Sequence, residues 1–262
     1  MVGRIIDKKE IATGTLMVTF KLEEEVNFKS GQYIFVTLPK LLYPDERGAK
    51  RQFSINNAPS LKNQIIISTR LSESGFKKTL NELPLKSVVE LGPIAGAFVL
   101  PDNTSRPLVL IAGGIGITPY MSMLRHIQKN NLSYNITLVY SNRNQASTAF
   151  LDELQLMATQ LSNFKLVLTM TEDLSWNGEK RIVDTQFIKD YFPLGNKPTS
   201  LGNKPTSLGD EPTSLGDEPT SDVNAQFYMV VGPPKMVEAV KKSLLDAGVI
   251  EDNIKIENFT GY

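Results

Sequence analysis

Hydrophobic and polar positions alternate over short stretches through the first hundred residues, and then the rhythm changes. Runs rich in Val, Ile, Phe, Tyr and Thr, separated by turn residues, predict strands at Gly3–Ile11, Thr15–Leu22, Gln32–Leu38, Lys50–Asn56, Ile65–Leu71 and Val88–Leu91. One or two helical turns fit Gly75–Leu83. Short strands packed closely along the chain without helices between them predict an antiparallel barrel. A glycine-bracketed turn over Leu91–Phe98 closes this region, and Pro101–Pro107 reads as a linker. Beyond it, strands predicted at Leu108–Ala112, Ile136–Tyr140, Lys165–Met170, Phe227–Val231 and Ile254–Glu257 alternate with helices at Pro119–Lys129, Phe150–Leu161, Asp184–Phe192 and Lys235–Ala247. That alternation predicts a parallel sheet with helices on both faces, whose ligands lie beyond the strand C-termini.

The junction stretch Leu108–Pro119, LVLIAGGIGITP, organises the chain. Its apolar run is too short for a membrane span and reads as a buried strand. Gly113, Gly114 and Gly116 follow, and Thr118-Pro119 reads as an N-cap and first helical position. Strand, glycine turn and helix N-terminus make a phosphate cradle, because N–H groups point outward and glycine lets an anion approach. A tight turn that needs glycine only for its dihedrals is the other reading of the same residues.

Composition narrows the chemistry. Apolar residues make up 41% and charged residues 21% of 262 positions, enough for two packed domains. Net charge is zero, so no nucleic-acid footprint is expected. With no cysteine, disulfides, thiolate catalysis and a cysteine-held iron–sulfur cluster are excluded. A single histidine, His126, excludes a multi-histidine metal site, and no metal is expected. It lies too far along its helix to reach the glycine turn, so a surface or packing role is expected. Met1–Glu10 lacks an apolar signal segment and no run approaches membrane length, so a soluble, cytoplasmic protein is expected.

Several polar groups stand out against that frame. In Arg51-Gln52-Phe53-Ser54, Arg51 and Phe53 share one strand face and Ser54 takes the other. An arginine there can grip phosphate, and the ring can pack along a flat ligand. The same pattern also describes an exposed Arg beside a core Phe. Gly75 precedes Phe76-Lys77-Lys78 at a possible helix start, which suits either an anion or a solvated basic turn. Arg143 follows a strand end where a nucleotide ribose would lie, and could hold a 2′-phosphate. Residues 194–221 are four copies of a heptad, LGNKPTS twice and LGDEPTS twice. Gly and Pro in every copy oppose helix, so a flexible insertion is expected, tolerated at a loop-closure cost of roughly 1–2 kcal/mol.

Taken together and in order, these stretches resemble the ferredoxin–NADP reductase superfamily of flavoproteins over nearly the whole chain. The matching stretches are Arg51–Ser54, Gly75–Leu80, Gly92–Phe98, Gly113–Pro119, Val231–Pro234 and Glu257–Tyr262. The resemblance implies an antiparallel Greek-key β-barrel that binds FAD over residues 1–100. It implies a Rossmann-like α/β domain with a parallel five-stranded sheet, binding NADPH or NADH, over 107–262. Arg51 would bind the flavin pyrophosphate, with Gly75, Phe76, Lys77 and Lys78 adding to it. Phe53 would pack along the flavin, Ser54 would lie near its reactive edge, and Ser68, Thr69 and Arg70 would line its ribityl and phosphate side. Gly114, Gly116 and Thr118 would hold the nicotinamide coenzyme's pyrophosphate, Gly232 and Pro233 would border its ring, and Arg143 would meet the adenosine ribose. Ser54 and Glu257 are the implied catalytic residues, and Phe259 or Tyr262 would stack on the flavin. Val231 stands where the family usually has cysteine, and Lys77 where a serine often meets phosphate.

The implied activity is hydride transfer from NAD(P)H to FAD, with electrons passed to an external acceptor. That acceptor could be ferredoxin, flavodoxin, an oxygenase component, a ferric complex or free flavin. Val231 and the heptad insertion keep a second expectation open, a catalytically weak flavin- or nucleotide-binding subunit of a larger complex.

Overall fold

The computed structural model describes residues 1–102, 105–193 and 223–259. The heptad repeat and Tyr262 lie outside them.

Six strands form the N-terminal sheet: β1 (Val2–Ala12), β2 (Thr15–Leu22), β3 (Tyr33–Thr37), β4 (Lys50–Ser54), β5 (Gln64–Arg70) and β6 (Val88–Ala95). They are ordered β4-β3-β6-β1-β2-β5, and every pairing is antiparallel. The two ends of the order meet just past β4, where Asn56 N–H donates to Ile66 O at 2.8 Å and the Asn57 side chain accepts from Ile66 N–H at 2.8 Å. Alternate side chains turn inward, so Ile5, Val18, Phe20, Ile34, Val36, Ile65 and Ile67 fill the interior with no exposed surface. Helix α1 (Gly75–Glu82) adds Phe76 and Leu80 to this core.

β6 runs past the expected end at Leu91. Val36 pairs with Leu91, and Ile34 and Tyr33 pair with Ile94 and Ala95. One extra residue on β6 between those pairs is a bulge, so the first part of the turn predicted over Leu91–Phe98, through Ala95, is bulged strand.

The second half holds β7 (Leu108–Gly113), α2 (Thr118–Asn130), β8 (Ile136–Asn142), α3 (Leu151–Gln160), β9 (Phe164–Met170), α4 (Thr185–Tyr191), β10 (Phe227–Gly232), α5 (Pro234–Asp246) and β11 (Ile254–Asn258). The strands form a parallel sheet ordered β11-β10-β7-β8-β9. Strands β7, β8, β9 and β10 feed both faces. Leu110, Leu138 and Met229 pack with α2 and α3, while Val109, Ile111, Val139 and Val230 pack with α4 and α5. Double burial explains the unbroken apolar run of β7.

Hydrogen bonds join the two halves. Ser122 Oγ donates to Asn57 O at 2.8 Å, Arg125 Nη1 to Asn56 O at 2.9 Å, Arg70 Nη2 to Ser147 O at 3.0 Å, and Thr13 N to Ala146 O at 2.8 Å. The fold is the expected one: an antiparallel six-stranded unit followed by a parallel five-stranded α/β sheet.

Candidate functional site

The C-terminal ends of β7 and β11 open onto the barrel across a cleft of about 800 Å³. The barrel contributes Tyr33, Arg47, Arg51, Phe53, Ser54, Ser68, Thr69, Ser74 and Lys77, and the parallel sheet contributes Ile115, Thr118, Glu257, Asn258 and Phe259. Of the residues singled out in the sequence, Ser54, Ser68, Thr69, Arg51, Phe53, Lys77, Thr118, Glu257 and Phe259 line this one cleft. Tyr33, Arg47, Ser74 and Asn258 were not singled out in advance. Arg47 lies in the polar loop Asp45–Lys50, where nothing in the sequence separates it from Glu46 or Lys50.

One end of the cleft is cationic. Burial lowers the pKa of the Lys77 ammonium, and repulsion from Arg47, Arg51 and Arg70 lowers it further. These four positive groups lie close enough to act on one another. Arg51 is buried, and its guanidinium is held by its own loop. Nη1 donates to the carbonyls of Arg47, Gly48 and Lys50 at 2.7, 2.8 and 2.7 Å, and Nη2 donates to Asp45. The Asp45 carboxylate also accepts from Ser74 Oγ at 2.7 Å and Phe76 N–H at 2.9 Å. The Phe76 and Ser74 bonds, above all, hold its pKa well below the usual carboxylate range.

This arrangement revises several expectations for the turn at Gly75–Lys78. Gly75 is small because the loop before Asp45 crosses it: an added Cβ would sit 2.2 Å from Pro44 O and 2.6 Å from Tyr43 O. The Phe76 N–H is spent on Asp45, and its ring is wholly buried against Phe53, with centroids 5.8 Å apart. Lys78 points outward to an ion pair with exposed Glu73. Of these four residues, Lys77 alone lines the cleft. Arg70 likewise is not among the lining residues, and reaches across to Ser147 O instead.

The glycine turn also differs from expectation. Gly114–Ile117 is itself a 3₁₀ turn, and Thr118 already has helical dihedrals. Its hydroxyl donates to Ile115 O at 3.1 Å, so it does not cap the helix; the helix simply starts one turn early. The glycines divide their work. Gly114 has φ +53° and nothing within 4 Å of an added Cβ, so its backbone is open to a ligand. At Gly116 an added Cβ would lie 2.8 Å from Val231 O and 2.9 Å from Gly232 Cα, so this glycine lets β7 and β10 approach. Gly232, at φ +158°, leads into Pro233 and α5, and its carbonyl accepts from Phe259 N–H at 2.9 Å.

On the parallel-sheet side of the cleft, Glu257 is largely buried. Burial pushes its pKa up to about 7, against a small opposing pull from Lys255. Its Oε2 is buried and has no hydrogen-bond partner among the described residues. Arg143 is exposed, at the end of β8, with Glu172 3.9 Å from its Nε. His126 contacts Asn130 on its own helix and takes no part in the cleft.

Comparison with known proteins agrees with this fold. The family described as "Oxidoreductase NAD-binding domain" matches residues 110–242. The chain belongs to that family, a group of ferredoxin-reductase-like FAD/NAD(P)H oxidoreductases. It is 25% identical over 244 residues to the reductase component DmpP of phenol 2-monooxygenase from Pseudomonas sp. (strain CF600), covering 91% of this chain and 60% of that protein. Among solved structures it resembles the cytochrome P450 reductase GcoB of Amycolatopsis, with TM-score 0.75, 22% identity, and coverage of 99% of this chain and 69% of that one. It also resembles the cytochrome b5 reductase domain of Ulva prolifera nitrate reductase, with TM-score 0.75, 16% identity, and coverage of 98% and 96%. The chain spans roughly half the length of the curated relatives it matches, from 45% to 60% for the first three. Among the described residues, no helix is long and apolar enough to cross a membrane.

Proposed function

We propose that this chain takes a hydride from NADPH or NADH onto FAD held by the barrel, and hands the electrons to an external acceptor. The observation that carries this reading is the cleft itself. A cation-rich end on the barrel and the turn carrying Ile115 and Thr118 on the parallel sheet border one continuous space, with Ser54, Glu257 and Phe259 on its walls.

The donor set fits two phosphate-bearing cofactors. Arg47, Arg51 and Lys77 supply positive charge, and Ser68, Thr69 and Ser74 supply hydroxyls, for the flavin's phosphate and ribityl parts. Gly114, whose backbone has open space beside it, would meet the second coenzyme, with Gly116, Gly232 and Pro233 nearby. A bound flavin would supply the redox chemistry, accepting two electrons together and releasing them singly. The chain's own task is alignment and proton handling. Phe259 packs a ring on the cleft wall, held by the bond from its N–H to Gly232 O. Ser54 offers a hydroxyl from β4, and Glu257 holds a proton on its carboxyl below about pH 7.

Arg143 favours NADPH as the coenzyme, through its guanidinium at the β8 end, and Glu172 beside it moderates that preference. The relatives named as monooxygenase reductase components support an oxygenase component or a small electron carrier as acceptor. The test is spectral. The protein reconstituted with FAD should lose its absorbance near 450 nm on anaerobic addition of NADPH or NADH. A flavin-binding subunit without turnover, the reading that Val231 in place of cysteine keeps in view, would keep its colour. A protein that takes up no flavin would overturn both.

A further inference from the structure

Among the described residues, Asp45 is the carboxylate hydrogen-bonded into the cationic end of the cleft, and it stands behind the wall. Arg47, Arg51, Ser74 and Lys77 line the cleft, whereas Asp45 does not. Its side chain is 7% exposed. It accepts from four donors on three segments: Arg51 Nη2 on β4, Ser74 Oγ and Phe76 N–H at the start of α1, and Arg47 N–H in its own loop. Each of those segments carries a lining residue. The loop is pinned to the helix again by Leu42 N–H, which donates to Thr79 Oγ1 at 3.0 Å.

We propose that Asp45 is the positioning residue of the flavin-phosphate site: one buried carboxylate fixes Arg51, Arg47 and the α1 start that carries Lys77 in the arrangement a pyrophosphate requires. This rests on the flavin reading above. Two features support it. Asp45 and the loop carbonyls hold both terminal nitrogens of Arg51, which lines the cleft, and its Nε–H makes no bond among the described residues. The charges also match. The cations exceed Asp45 whether or not Arg70 is counted with Arg47, Arg51 and Lys77, so the site keeps a net positive charge for the two negative charges of a dinucleotide pyrophosphate. Without Asp45, those cations would repel one another and the loop would lose its tie to α1.

The experiment compares dissociation constants for FAD, FMN and riboflavin in the full-length unaltered protein and in Asp45→Asn. Riboflavin has the ring system and the ribityl chain but no phosphate, so it reports a generally damaged pocket. Positioning predicts that Asp45→Asn weakens FAD and FMN about tenfold, the scale of a charge-assisted contact, while riboflavin changes less than about twofold. Equal weakening of all three would mean that Asp45 only props up the fold, and tighter FAD binding would mean that it competes with phosphate. Either result overturns the proposal. If Asp45→Asn does not fold, Asp45→Glu keeps the charge and displaces it by one methylene, and an unchanged FAD-to-riboflavin affinity ratio in that variant overturns the proposal as well. Failure of the unaltered protein to bind any flavin would instead overturn the functional reading itself.

Discussion

Glu257 gives the sharpest quantitative test, because its proton is linked to stability and not only to turnover. Its pKa is about 7 in the folded chain and 4.5 for an unperturbed glutamate. Between those values the native state holds a proton that the unfolded state has lost, so stability falls as pH rises. The contribution of this group is fully present below about pH 4.5 and is lost as pH rises through about 7. Working the linkage through, the carboxyl costs about 0.8 kcal/mol at pH 5 and about 3.3 kcal/mol at pH 8 relative to a group that never ionises. Glu257→Gln is such a group, of nearly the same shape. The stability gap between the glutamine variant and the unaltered protein, both without cofactor, should therefore widen by about 2.5 kcal/mol from pH 5 to pH 8. At about 2–4 °C per kcal/mol for a chain of this size, the gap in Tm widens by roughly 5–10 °C. Thermal melts of both proteins at the two pH values measure it. A gap that is constant with pH, or that narrows, refutes the burial argument for Glu257.

Other consequences are more local. Gly116→Ala places a Cβ 2.8 Å from Val231 O and 2.9 Å from Gly232 Cα, both backbone, so β7 and β10 must part. It should cost about 1–3 kcal/mol by thermal melting and raise KM for NAD(P)H. Lys77→Met keeps the length of a buried side chain and removes its charge, and equilibrium titration should show FAD binding weakened about tenfold with riboflavin little changed. Arg143→Ala should reduce kcat/KM for NADPH far more than for NADH, and Glu172→Gln should shift the ratio the other way. Equal losses with both coenzymes in the arginine variant would remove Arg143 from coenzyme choice.

The fold was legible because its signals are periodic and repeated. β-branched alternation marks the barrel, and continuous apolar runs such as Leu108–Ala112 mark strands buried on both faces. Expectations slipped where a residue type has two uses. Gly92-Pro93 spells a turn in isolation, yet it lies in a bulge, because β3 holds β6 on both sides of it. Thr118-Pro119 spells a helix start, yet the glycines ahead of it already coil, which turns the hydroxyl back to Ile115 O. Local propensity cannot show these outcomes, since partner strands and the preceding turn decide them.

The site was legible in its positions but not in its wiring. Arg51 and Gly75 both lie beside the cationic end, as their motifs indicated, but each is held by a loop that carries no motif. Gly75 lacks a side chain to make room for the carbonyls of Tyr43 and Pro44, and Arg51 lends most of its donors to that loop and to Asp45. A phosphate-binding arginine must be rigid before the ligand arrives, or ordering it consumes the affinity it supplies. The rigidity comes from a carboxylate six residues upstream whose other partners, Ser74 and Phe76, are far off in sequence. Sequence reading finds the groups that would touch a ligand because their chemistry is conspicuous. A group that holds them still is conspicuous only when the chain has folded, since what matters about Asp45 is the set of donors that converge on it.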